Sequence, residues 1–294
     1  MRHFGRLGLG TVQWGTVYGL ANNNGITTGS EVNSILLAAR DAGLVILDTA
    51  ALYGGAEAAL GVHDLANFKV VTKTPRFATS SISKSQADEL TTTFYRSLEK
   101  LGIGSIYGLL IHHADDLLSR GGNQLIERMQ LLKLSGKVQR IGVSIYDKDQ
   151  IDAVLKVFMP DIVQLPLNVL DQRFLVDGSL ALLQSQNIEI HARSVFLQGL
   201  LLMNLHTQPD YFAPISPLLA RWHAACAAQG LTPAQAALAF VRNIPEIDCC
   251  LIGVQSLSQF EGCLQDFALD KRFDAVGLAC DDPTFINPAN WKLT

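Results

Sequence analysis

Eight short β-rich runs alternate with longer segments of helical period along this chain, and that alternation leaves few folds open. The runs are residues 6–10, 44–48, 69–73, 107–112, 140–144, 161–164, 188–193 and 249–253. They are mostly apolar and lack the polar alternation of a half-exposed strand, as expected for parallel strands covered on both faces. Residues 87–101 carry the plainest helical stripe, with Leu90, Phe94, Leu98 and Leu101 recurring at four, four and three. Two helix starts read as capping boxes: Thr28 with Glu31, and Thr232 with Pro233 and Gln235. Eight βα units in 294 residues predict an α/β chain closed into a (β/α)8 TIM barrel, one domain over residues 1–294. The alternative, a doubly wound open sheet, calls for G-x-G-x-x-G after its first strand, whereas Gly8, Gly10 and Gln13 occupy that spacing. Residues 281–294 are polar, with Pro283, Pro288 and Trp291, and read as a C-terminal tail.

Composition removes several classes of function. Hydrophobic residues make up 48% and charged residues 17%, too apolar for disorder and ample for one large core. Lys and Arg total 23 against 27 Asp and Glu, so no basic excess is available to neutralise a run of phosphates, and nucleic acid is not an expected partner. Cys226, Cys249, Cys250, Cys263 and Cys280 form no C-x-x-C pair and suit free thiols in a reducing compartment. Arg2 and His3 precede no apolar signal segment, and no stretch nears about 18 apolar residues, so the expectation is a cytoplasmic protein without a membrane partner.

In a barrel of this kind the chemistry sits where the strands end. Six of the runs end in a polar residue: Asp48, Lys73, His112, Ser144, Gln164 and Arg193. Unpaired buried charges cost several kcal/mol each, so a ring holding Asp, Lys and His implies that these groups pair or do chemistry. His112 and His113 point to opposite faces of the strand and have no further His or Cys at ligand spacing, so no metal is expected.

Just past Asp48, residues 48–61 read DTAALYGGAEAALG. This segment resembles the aldo-keto reductase signature of Asp-Thr-Ala, then Tyr-Gly, then Glu and Leu-Gly. SLEKLGIGSIYGLLIHH (97–113), GKVQRIGVS (136–144), DIVQLPLN (161–168), FLQGLL (196–201) and LIGVQSLSQFE (251–261) match further blocks of that family in order. The resemblance implies a catalytic tetrad of Asp48, Tyr53, Lys73 and His112. Reducing a carbonyl by hydride requires a proton for the developing alkoxide, and Tyr53 would give it as general acid. The Lys73 ammonium would lower the tyrosine's pKa from its usual value near 10, Asp48 would hold Lys73 charged, and His112 would orient the substrate oxygen.

The same resemblance implies an extended nicotinamide dinucleotide bound without a Rossmann loop. Ser144 and Gln164 would hold the nicotinamide carboxamide, which needs both an acceptor and a donor. Ile145 replaces the family's usual Asn. Arg193 takes the place of an aromatic residue that stacks on the nicotinamide; a guanidinium plane stacks there too, and its charge also suits a phosphate or carboxylate. Gly253, Val254, Gln255 and Gln259, at the start of the helix after the eighth strand, would receive the adenosine end. The expected cofactor is NADPH, but residues 253–263 contain no Lys or Arg for a 2′-phosphate, and Cys263 stands where an Asn is common, which leaves NADH or dual use open. Trp14, Tyr18, Leu52, His113, Asn168 and Arg173 are candidate contacts for a small-molecule carbonyl, with a polar aldehyde favoured. The rival reading is a catalytically silent barrel that binds a dinucleotide as a redox-sensing or regulatory subunit.

Overall fold

All eight apolar runs pair in parallel, in chain order, and the last closes on the first. The computed structural model describes residues 4–293. The strands are β1 (Leu7–Gly10), β2 (Ile46–Asp48), β3 (Lys69–Lys73), β4 (Ile106–Ile111), β5 (Val138–Ser144), β6 (Ile162–Pro166), β7 (Glu189–Arg193) and β8 (Cys249–Gly253). Closure is by β1 on β8, with Leu7 opposite Cys250 and Gly10 opposite Gly253. Just before β1, Arg6 donates to the carbonyls of Ile244 (2.7 Å) and Ile247 (2.8 Å), tying the seam to the turn that enters β8.

The strands bury both faces, which explains why their sequences do not alternate. Leu9, Leu47, Leu109, Val143 and Val163 belong to the core between strands and helices, whereas Ile46, Val71, Leu110, Ile162 and Leu251 form a second cluster. The second cluster is filled to contact at Gly8, where a Cβ would lie 2.7 Å from the Cys249 sulfur and 2.8 Å from a Leu251 methyl. A side chain there would overpack the barrel.

Helices α1 (Gly29–Asp41), α2 (Ala56–Gly61), α3 (Lys84–Leu101), α4 (Ala114–Leu118), α5 (Asn123–Leu134) and α6 (Lys148–Val157) fill the first connections. Helices α7 (Arg173–Val176), α8 (Ser179–Ser185), α9 (Ser216–Ala228), α10 (Pro233–Arg242), α11 (Leu257–Phe267) and α12 (Pro283–Ile286) follow. The stripe Leu90, Phe94, Leu98 and Leu101 is buried on α3. Ser83 and Gln86 start that helix with a reciprocal capping box, and Thr232 with Gln235 does the same for α10.

Thr28 caps α1, accepting from the Glu31 amide, but the reciprocal half of the expected box is missing. The Glu31 carboxylate instead accepts the Leu257 amide of α11 at 2.6 Å. The tail is folded rather than extended: Ile286 of α12 is buried, and the Trp291 ring meets Phe212 edge to face at 5.0 Å. Phe212 lies in the long connection after β7, so the chain end braces a loop at the strand-end face. Among the described residues, no single helix is long and apolar enough to cross a membrane.

Candidate active site

Strand register brings the polar ends together. Asp48 pairs across from Gly10, Lys73 from Leu110, Ser144 from Gln164, and Arg193 from Pro166. At the centre Lys73 Nζ lies 2.6 Å from Asp48 Oδ2, with Lys73 1% exposed and Asp48 4%. Two of the three ammonium donors are used there, on Asp48 and on the Thr49 carbonyl at 2.9 Å. The other Asp48 oxygen accepts from Gln164 Nε2 at 2.7 Å. This knot fixes the Gln164 amide, whose Oε1 accepts no hydrogen bond among the described residues.

Tyr53 sits five residues beyond Asp48 in the loop before α2. Glu57 of α2, 1% exposed, accepts the Thr72 hydroxyl at 2.7 Å and so locks this loop to β3 beside Lys73. From the opposite side, the loop after β1 presses Gly15 so close that a Cβ would fall 1.9 Å from the Tyr53 carbonyl. The Lys73 ammonium lies 5.0 Å from the Tyr53 ring centroid, and His112 meets that ring edge to face at 5.8 Å.

The electrostatics differ from the expected pattern in one respect. Burial, then the Asp48 carboxylate, pushes the Tyr53 hydroxyl well above the usual phenol range, and the nearby cation that opposes the rise is Arg193. The Lys73 ammonium pairs with Asp48 and lies over the ring face, and burial pulls its own pKa below the usual lysine range. Burial also takes His112 down to about 2, helped by the Lys73 charge, so the imidazole is neutral in ordinary buffers. The site therefore offers a protonated phenol and an uncharged imidazole beside a compensated ion pair.

Asp48, Tyr53, His112, Ser144, Gln164 and Arg193 open onto one cavity of about 380 Å³, and Tyr18, Gly253, Gln255 and Gln259 reach it as well. Lys73 lies outside that lining and touches it through Asp48 and the Tyr53 ring. Several expected contacts are placed elsewhere. Trp14 is 2% exposed and its indole donates to the Val254 carbonyl at 3.2 Å, so both residues are packed inside the wall. Asn168 is fully buried, accepting the amides of Leu170 and Asp171 and donating to Ser194, which makes it a loop brace. His113 stacks on His112 at 4.8 Å, Arg173 pairs with Asp171 at 2.8 Å, and Leu52 faces solvent.

Sequence reasoning misses Tyr146, Gln13 and the loop after β7. The Arg193 guanidinium lies 4.3 Å from the Tyr146 ring centroid, so one of its faces is already covered. Ser194 and Gln198 adopt left-handed backbone at φ 62° and 53° and line the cavity, a cost of about 1–3 kcal/mol each for non-glycine residues. The Gln198 carbonyl accepts the Leu20 amide at 2.9 Å, joining the loops after β7 and β1 across one side of the cavity. Gln13 Oε1 and His112 Nδ1 are buried and have no hydrogen-bond partner among the described residues, as expected where a polar ligand supplies the missing bonds.

A sequence model described as the Aldo/keto reductase family matches residues 6–276. The fold is similar to that of an aldo-keto reductase from Bacillus halodurans solved in its holo form, at 19% identity, TM-score 0.70 and coverage of 93% and 92% of the two chains. It is also similar to a glycerol dehydrogenase from Gluconobacter oxydans (20% identity, TM-score 0.68, coverage 93% and 91%). A putative aldo-keto reductase from Pseudomonas aeruginosa matches at 20% identity, TM-score 0.66 and coverage of 90% and 89%. No match was found among curated proteins.

Removing one partner of the buried pair strands the other charge. Lys73→Met is expected to lower the unfolding free energy by about 3–5 kcal/mol, and adding Asp48→Asn is expected to recover most of that loss. Denaturant midpoints of the four proteins in this cycle check it; simple addition of the two losses would show that the groups stand independently.

Proposed function

Since the chain belongs to the aldo/keto reductase family, a family of oxidoreductases, we propose that it reduces an aldehyde or ketone to an alcohol with Tyr53 as proton donor. The observation that carries this reading is the meeting of Tyr53, His112 and the Asp48–Lys73 pair at one cavity, with the tyrosine held protonated. A reduced nicotinamide dinucleotide, when bound, supplies the hydride. Its carboxamide needs one donor and one acceptor, and the Ser144 hydroxyl with the free Gln164 Oε1 provides that set.

In this reading the neutral His112 imidazole orients the carbonyl oxygen without adding charge, and Tyr53 gives that oxygen its proton as negative charge develops. Asp48 and Lys73 keep the polar floor compensated. Replacing Tyr53 by Phe keeps the ring and its packing but removes the proton. With an activated aldehyde such as 4-nitrobenzaldehyde, Tyr53→Phe is expected to lose about 100-fold or more in turnover while cofactor affinity holds. Wild-type turnover in the variant, or cofactor binding by the native protein without turnover across an aldehyde panel, contradicts the proposal.

We further propose NADH as the preferred cofactor. At the start of α11 the Leu257 amide is taken by the Glu31 carboxylate, the Gln259 amide by Ser256 Oγ, and the Gln255 amide by Gln259 Oε1. Residues 253–263 hold no cation. A 2′-phosphate placed here would meet a carboxylate where it needs a positive charge. Fluorescence titration is expected to give a dissociation constant about 10-fold or more lower for NADH than for NADPH, with Glu31→Gln narrowing the gap. A wild-type preference for NADPH contradicts this assignment.

A further inference from the structure

The charge balance of the cavity leaves one group uncompensated. Asp48 cancels Lys73, and His112 is neutral. Arg193 lines the same cavity and forms no ion pair among the described residues. It is nevertheless held in place. The guanidinium lies on the Tyr146 ring at 4.3 Å and donates to the Ile145 carbonyl at 3.1 Å and to Ser194 Oγ at 3.4 Å. Nε and one hydrogen on each terminal nitrogen are left without a protein acceptor among these contacts. A half-buried, oriented guanidinium with open donors suits a planar or tetrahedral oxyanion.

The direction of the side chain separates two possible anions. From β7 it reaches past β6 to the backbone that follows β5, away from β8 and from the Gly253–Gln259 segment. That path leads toward Tyr53 and His112, both of which feel its charge, rather than toward the side where a dinucleotide's phosphates would run. Arg76, exposed in the loop after β3, adds a second cation that acts on His112 and His113.

We propose that the carbonyl substrate carries a carboxylate or phosphate group and that Arg193 binds it, making an oxo acid or a phosphorylated aldehyde the preferred class. This rests on the reductase reading above. The test compares matched pairs under saturating NADH: succinic semialdehyde against its methyl ester, and glyceraldehyde 3-phosphate against glyceraldehyde. The wild type is expected to prefer the charged member of at least one pair. Arg193→Met is expected to reduce that preference, the ratio of kcat/KM values, by about 10-fold or more, and Arg193→Lys is expected to retain part of it.

A wild-type preference for both neutral members overturns the proposal. So does an unchanged ratio in the Met variant accompanied by a weakened NADH dissociation constant, which would place the guanidinium on the cofactor. If the protein reduces none of the four compounds, turnover of 4-nitrobenzaldehyde decides the reductase reading separately, and calorimetric titration with succinate and with inorganic phosphate decides the anion site. Binding that is lost in Arg193→Met supports the site; no binding, or equal binding to both proteins, overturns it.

Discussion

The buried pair between Lys73 and Asp48, 2.6 Å apart, is the interaction on which the rest of the site depends. Two full charges withdrawn from water at the mouth of a barrel are tolerable only if each is met on every open side. The structure meets them with the Thr49 carbonyl, the Gln164 amide and the face of the Tyr53 ring. Thr49 and Tyr53 come from the loop after β2 and Gln164 from β6, so satisfying one ion pair also positions a carboxamide acceptor and a phenol. The barrel makes this possible because β2, β3 and β6 all end at the same face.

Compensation has a chemical consequence. Burial and the Asp48 carboxylate hold the proton of the neighbouring phenol more tightly than water would. His112, enclosed beside the same cation, stays neutral. Two hydrogen-bonding groups that carry no charge thereby face the cavity, and among the described residues that line it the guanidinium of Arg193, fixed by Tyr146 and Ile145, has no ion-pair partner.

Much of the architecture is legible in the sequence because parallel strands buried on both faces leave unbroken apolar runs, and the residues that end those runs lie at the active face. Residues 44–48 and 161–164 locate β2 and β6, although β2 begins two residues later and β6 continues to Pro166. Asp48, Lys73 and His112 stand out for the same reason, whereas Tyr53 ends no apolar run and is singled out only by the resemblance of residues 48–61 to the family signature. What is not legible is set by loops. Trp14 and Asn168 look like ligand contacts in one dimension, yet each finds its hydrogen bonds inside the wall. Tyr146 follows an apolar position, and nothing in its neighbours signals that a guanidinium two strands away will lie on it. The net rise of the Tyr53 pKa is not legible either, because the burial that drives it comes from the fold around the ring.

The dependence of reduction on pH tests this account most directly. Tyr53 acts in its protonated form and its pKa is raised, so the active form persists from neutral pH to above the usual phenol range, while His112 gains no proton until near its value of about 2. With saturating NADH and a neutral aldehyde, kcat/KM is therefore predicted to stay level between about pH 5.5 and 9.5. A falling alkaline limb near pH 8 would show that the phenol or the Lys73 ammonium loses its proton in this range, and an acid limb near pH 6.5 a histidine that titrates as if in water; either contradicts the compensated site.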